Sequence, residues 1–269
     1  MKTSNRNRWK YTTTSVATVF IVVITWYSVA PRYVSDLVFP SPAAVWNAAV
    51  VLHARILNDA LKTLYRVLAG WVIGCSTGIF VGLLMTKFRW FYAIVNPLIE
   101  LARPLPPVAL IPFFIIWFGL ADVGQITLIA VGCFMVMTIS TFVAVSNVAP
   151  VYIKVGKTLG ADSLSIYTTI IFPAILPALI SGFRVAAALA FGVGIAAEFM
   201  GAQSGLGFLV MVARRTLETN TILLATIILG IESFLTDLAI RNIARRLLRW
   251  TDDPIGVLGV VKDIRFEEF

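Results

Sequence analysis

The chain has 269 residues, is 59% hydrophobic and only 13% charged, and has a mean hydropathy of +0.88. Soluble domains carry about twice that share of charge, so this composition excludes one. The apolar stretches run continuously at the ~20-residue length of a helical membrane crossing. A membrane barrel would show ~10-residue alternating segments instead. The expected class is therefore all-α, a polytopic membrane protein. The net charge of +8 comes from Lys and Arg clustered at the ends of apolar runs, which is the positive-inside pattern of membrane topology rather than a nucleic-acid footprint. One histidine, His53, builds no His-based metal centre. Cys75 and Cys133 lie far apart in sequence inside apolar runs and read as small core fillers. No metal site is expected.

Lys2, Arg6, Arg8 and Lys10 precede an apolar run over residues 12–30. Ser28-Val29-Ala30 has the small-residue pattern of a cleavage site. Pro31 follows directly and the run is long enough to span, so the reading is an uncleaved first helix. Pro40-Ser41-Pro42 predicts a turn and a helix start, with Ser41 as N-cap and Pro42 at the first helical position. Val45, Trp46, Ala49, Leu52 and Ile56 recur at helical spacing, as in an amphipathic helix lying at the outer interface.

A second span is predicted over residues 61–86. Gly70, Gly74, Gly78 and Gly82 recur every fourth residue on one face, which allows a second helix backbone to approach closely. Lys87 and Arg89 mark a cytoplasmic turn. The third span, residues 91–120, is interrupted by Arg103-Pro104-Leu105-Pro106-Pro107, because proline withholds a donor and clashes with the preceding turn. Such breaks persist in a membrane only where protein or water covers them. The fourth span is predicted over residues 125–146.

Residues 151–173, VYIKVGKTLGADSLSIYTTIIFP, form a polar, lysine-bearing island between apolar runs. A helix is expected over residues 151–159, a turn at Gly160, and helix again toward Phe172. The fifth span covers residues 174–200. Gly201 to Gly207 reads as a Gly-rich outer loop, and residues 208–220 are mixed. The sixth span covers residues 221–238, closed by Arg241, Arg245, Arg246 and Arg249. Six helices with N and C termini both cytoplasmic place most basic residues inside. Arg32, Arg55, Arg214 and Arg215 stay outside, with Lys62 and Arg66 at the border. Residues 1–58 are thus a first transmembrane helix plus an outer helix, 59–250 a core of five spans, and 251–269 a cytoplasmic tail.

Charged groups at membrane depth are functional candidates by default. Glu100, Arg103, Arg184 and Glu198 are the pathway or gate candidates, and Glu232 and Asp237 also qualify. The alternative for all six is mutual pairing or reach toward the interface. For Glu198, at the outer end of its span, the alternatives are a gate and a packing contact. Gly156-Lys157-Thr158 mimics the end of a phosphate-binding loop, but Val151 stands where that loop needs glycine and no strand precedes it. Nucleotide binding by this chain is not expected.

Gly160, nine residues, then Ile170-Ile171-Phe172-Pro173 resembles the cytoplasmic coupling loop of ABC-importer permeases, which runs E-A-A, three residues, G, nine residues, I-x-L-P. Further stretches resemble the same family in order: Phe39 to Pro42 with Val45-Trp46, Arg66 to Gly70, Arg103 to Pro112, Ile116 to Gly119, Glu198 to Gly201 and Ser204 to Gly207. Within the family the set looks most like the aliphatic sulfonate, taurine and nitrate permeases. The resemblance implies a type I importer permease fold in the bacterial inner membrane, carrying a small solute by alternating access. ATP and Mg would sit on a separate ATPase, and a periplasmic or extracellular binding protein would supply the solute. The permease would pair as a homodimer in lipid and bind no nucleic acid. No cofactor and no catalytic residue is expected in this chain. The implied ATPase-coupling residues are Lys154, Val155, Gly156, Lys157, Leu159, Gly160, Ala161 and Pro173. Lys154, Val155 and Gly156 replace the family's Glu-Ala-Ala, so one charge offered to the ATPase is reversed. The rival readings are a self-sufficient secondary transporter or channel, for which no internal repeat is visible, and a membrane enzyme, for which no nucleophile or metal motif is visible.

Overall fold

The computed structural model describes residues 38–249 and, within 17–28, all but 19 and 22. Every regular element among the described residues is helical. They are α1 (Pro42–Val51), α2 (His53–Lys87), α3 (Arg89–Ala102), α4 (Ile111–Phe118), α5 (Asp122–Ser146), α6 (Pro150–Thr158), α7 (Ser163–Gly201), α8 (Leu206–Thr216) and α9 (Thr219–Leu247). Four of them, α2, α5, α7 and α9, are long and apolar enough to cross a bilayer. The bent pair of α3 with residues 107–118 would make a fifth. The expected first span falls only partly on described residues, of which 17, 18, 20, 21 and 23–28 are helical. The N-terminal basic cluster, the cleavage question, Arg32 and the tail lie outside the described residues.

α5 is the hub, held between α2 and α7. Gly70, Gly74, Gly78 and Gly82 of α2 all face it. A Cβ built on Gly70 would lie 2.7 Å from Ile129 Cβ, on Gly78 2.8 Å from Met137 Cβ, and on Gly82 2.7 Å from Thr141 Cβ. On Gly74 it would collide with the Ala130 carbonyl oxygen. Real side chains do not fit at such spacing, so the four glycines set how closely the two backbones approach. α7 packs on the other side, with Gly182 against Met137 and Ser140, and Gly194 against Val67 and Ile129. Cys75 and Cys133 are free and fully buried within this seam.

Several boundaries differ from the sequence-based expectation. α1 begins as predicted, with the Ser41 hydroxyl accepting from the Ala44 amide at 3.3 Å. It ends at Val51, because Leu52 (φ −97°, ψ 9°) leaves helical geometry. Residues 53–60 then belong to α2, so the division at 58/59 falls inside a helix. The long helix is favoured there because Ile56, Asp59 and Ala60 are buried. Similarly, α9 runs nine residues past the predicted 238, with Ile240 and Ala244 packed on Ile180 and Ala187 of α7. The mixed stretch after Gly207 is the helix α8, whose Leu206 and Leu209 pack on Leu224 and Ala225.

The predicted proline break is an elbow. α3 and the helical residues 107–118 meet at 88°. Its depth is fixed by Pro107, whose Cγ would be 3.4 Å from a Cβ on Gly132. Gly132 lies about 15 Å along α5 from Asp122 by helical rise, a distance of half the ~30 Å thickness of a hydrocarbon core.

Candidate functional site

Two ends of the bundle carry organised polar structure. At one end a charged clamp ties four segments together. Glu198 of α7 and Arg66 of α2 are 2% and 4% exposed at their side chains and pair at 2.8 Å. The Thr63 hydroxyl donates to Glu198 at 2.9 Å and accepts from the Leu206 amide at 2.9 Å. Glu198 Oε2 also accepts from the Gly207 amide at 2.8 Å, and Asp59 accepts from the Gly205 amide at 2.9 Å. Three free amides at the start of α8 thus meet two carboxylates and a hydroxyl, where the helix dipole favours negative charge. Arg66 also donates to the Ser204 carbonyl at 2.7 Å and to Asp122 at 2.8 Å. Gly205 (φ +110°) passes so close to the Glu198 carboxylate that no side chain fits.

Glu198 is a buried tie, with both carboxylate oxygens hydrogen-bonded to Thr63, Arg66 and the Gly207 amide. Asp59, Thr63 and Asp122 carry no sequence signal, and Arg66 is legible only as a border residue at the start of a family-like stretch. The available signal was Glu198 itself, since a carboxylate at that depth needs a cation, and Arg66 of α2 is a basic residue near the same end of the bundle.

The opposite end carries the island. α6 starts at Pro150, which suits the first helical position. It stops at Gly160, in left-handed conformation (φ +81°). The Ala161 amide donates to the Gly156 carbonyl and the Gly160 amide to the Lys157 carbonyl, both at 3.0 Å, a paired closure that satisfies the last carbonyls of a helix. α7 then opens with Asp162 as N-cap. Hydrogen bonds from the Ser165 hydroxyl and amide hold the Asp162 carboxyl below its ordinary range. Residues 166–171 are π-helical, directly before Pro173, which has no N–H to continue the α-ladder.

α6 lies on this segment through Gly156, where a Cβ would come 2.7 Å from Ile170 Cδ1. Its other face is bare. Val151, Val155 and Leu159, one turn apart, are exposed, Leu159 at 81%, and Tyr152 beside them is exposed too. Lys154 and Lys157 are also exposed. Of the predicted coupling residues, Gly156 alone is buried, Ala161 and Pro173 are half-buried, and the rest form the outer surface.

The remaining candidates lie between the two ends. Glu100 and Arg103 flank the elbow and are exposed. Arg184 of α7 donates to Asp237 of α9 at 2.6 Å, and Arg241 donates to the same carboxylate at 2.7 Å. Among the described residues no group of His, Cys, Asp and Glu could hold a metal ion.

The molecule is thus a bundle of helices of membrane-crossing length, with a buried charged clamp at one end and a short exposed helix at the other. Residues 74–249 match the family described as binding-protein-dependent transport system inner membrane component, and the chain belongs to that family. It is 30% identical over 260 residues to the taurine transport system permease protein TauC of Escherichia coli K12, covering 92% of this chain and 94% of that protein. It is also 30% identical over 225 residues to SsuC of Bacillus subtilis, described as an aliphatic sulfonates transport permease, covering 83% and 82%. An inward-facing MetNI methionine ABC transporter superposes with a TM-score of 0.55 over 74% of this chain and 99% of that one, at 21% identity. An amino acid ABC transporter gives 0.58 over 76% and 97%, at 16% identity. Those two likenesses concern the fold. The chain is an ABC-importer permease subunit of the inner membrane.

Proposed function

We propose that this permease crosses the membrane six times with both termini in the cytoplasm, pairs as a homodimer, and passes a small anion of the sulfonate, taurine or nitrate kind. The observation that carries the mechanism is the exposed ridge of α6. Val151, Val155 and Leu159 present an apolar stripe that water disfavours, flanked by Lys154 and Lys157. A separate ATPase subunit receives that ridge in a groove and holds ATP and Mg; this chain supplies no catalytic group and no cofactor. Gly160 and the Asp162 cap fix the angle between α6 and α7. When two ATPases close on ATP, the displacement of α6 is carried into α7 and, through the glycine seam, into α5 and α2. The clamp keeps α2, α5, α7 and α8 together at the far end, where an external solute-binding protein docks.

Glu100 and Arg103 are assigned to the solute path. Their elbow is level with Gly132, at mid-bilayer, and both side chains are exposed there. Lipid does not accommodate such charges, so a water-filled path or the second subunit faces them.

The test is cross-linking in the assembled complex. A Leu159→Cys permease is expected to form a disulfide or maleimide cross-link with the ATPase subunit, at a yield that changes between nucleotide-free and ATP-bound states. Cross-linking only to external proteins, or to nothing, would overturn the docking.

A further inference from the structure

The geometry points to an oxyanion-binding site in the groove between α7 and α9, built on Arg184, whose counter-ion Asp237 is shared with Arg241. The groove has a volume of about 570 Å³ and is lined by Ser181, Arg184, Val185, Ser233, Phe234 and Asp237 among others. That exceeds what a sulfonate or phosphate group needs. The site rests on the permease reading only for its depth in the membrane.

The depth follows from packing. Gly182 of α7 lies against Met137 of α5, and Met137 is about 22 Å along its helix from Asp122 of the clamp. Arg184, half a turn further on, is therefore inside a hydrocarbon core of ~30 Å. An arginine near a membrane border usually extends toward it. Here the guanidinium turns sideways instead. Nε of Arg184 is 2.6 Å from Asp237 Oδ1, and Nη2 of Arg241 is 2.6 Å from Oδ2.

The charges do not cancel. Two guanidinium groups share one carboxylate, which leaves a net positive charge at membrane depth. Neither Glu232, the next acid along α9 toward the clamp, nor Arg241 lines the groove itself; Arg241 acts on it through Asp237. The pairs bind through Nε and Nη2, so the Nη1 group of each arginine remains to donate. The side chains of Arg184 and Asp237 are 16% and 28% exposed. The Arg184 fork, on the same groove wall as Ser181 and Ser233, matches the planar, multi-acceptor geometry of an oxyanion. Small neutral solutes would gain nothing from the net charge.

The ligand has two possible sources, a small free anion in transit and the headgroup of an anionic lipid. Both share one chemistry, and one experiment separates them. Ser233→Cys places a reactive thiol on the groove wall, while native Cys75 and Cys133 are fully buried. The assembled transporter is reconstituted in nanodiscs. The introduced thiol is labelled with an anionic sulfonate-bearing methanethiosulfonate or a cationic ammonium analogue of similar size. Labelling of the permease is followed by mass.

The anionic reagent is expected to react about tenfold faster, the lower range of electrostatic focusing in a charged cleft. That ratio should fall to near one in an added Arg184→Gln background. In zwitterionic nanodiscs, ethanesulfonate slows the labelling if a free anion is the ligand. Slowing only on adding phosphatidylglycerol assigns the site to a headgroup, which also supports it. Equal rates for the two reagents with Arg184 intact would overturn the site. So would an unchanged ratio in Arg184→Gln, or labelling that neither oxyanion slows. If Arg184→Gln does not accumulate, Arg241→Gln is read in the same assay, with the same loss expected. The readout needs no transport, so failure of the site and failure of the coupling mechanism are told apart.

Discussion

Gly160 is the position where a single substitution tests the lever most directly. Its φ of +81° lies in the region that L side chains avoid. Yet a Cβ built there meets nothing within 4 Å. A bulky residue is therefore not excluded by space, and its cost is one of backbone conformation alone. For alanine that cost is about 1–2 kcal/mol, and for a β-branched residue more. Asparagine, which tolerates left-handed geometry, should cost least. The hinge can relieve this strain by rotating Gly160 into ordinary φ, which breaks the Ala161–Gly156 and Gly160–Lys157 hydrogen bonds. α6 then leaves its fixed angle to α7. The expected series is Gly160→Asn near wild type, Gly160→Ala reduced, and Gly160→Val lowest in solute uptake per ATP hydrolysed, with membrane insertion and thermal melting little changed. Uptake and hydrolysis would be measured together in proteoliposomes holding permease, ATPase and binding protein. Wild-type coupling in Gly160→Val would refute the argument. So would a loss of coupling in Gly192→Ala, where the helix is regular and open space again surrounds the Cβ.

Two further outcomes follow from the packing. Gly78→Leu puts a side chain where Met137 Cβ and the Phe134 carbonyl lie 2.8 Å from a bare Cβ; the α2–α5 seam must open, costing at least the ~1–3 kcal/mol of core overpacking, seen as a lower melting temperature and poor accumulation. Glu198→Gln keeps the shape of the clamp but leaves buried Arg66 with Asp122 as its remaining acid, so the cost stays below the ~3–5 kcal/mol of a fully broken buried pair. The thermal midpoint should fall below wild type, while Glu100→Gln, at an exposed position, should leave it unchanged.

Hydropathy and the proline cluster made the spans and the elbow legible, because lipid penalises every unpaired backbone group regardless of what surrounds the helix. The glycine row was legible for a similar reason. Four residues without a Cβ on one face already state that something comes close, though not that α5 is the neighbour. Gly160 and the Ser41 cap were readable because local backbone geometry alone demands those residue types. The clamp was not. Asp59, Thr63, Arg66 and Asp122 look like ordinary polar residues near span ends, and Glu198, which Thr63 and Arg66 reach, is more than a hundred positions away from both.

What the chain's residues decided alone was local or solvent-driven: where helices form, where proline breaks them, and where a glycine turns the backbone. The tertiary structure decided which charges are ties and which are available. Glu198 and Arg184 are indistinguishable as intramembrane charges in the sequence. Folding surrounds Glu198 with three donors and seals it, and it leaves Arg184 on the wall of an open groove, sharing one carboxylate with a second arginine. The reason is that neutralising a buried charge requires partners from distant helices, and only packing brings those helices together.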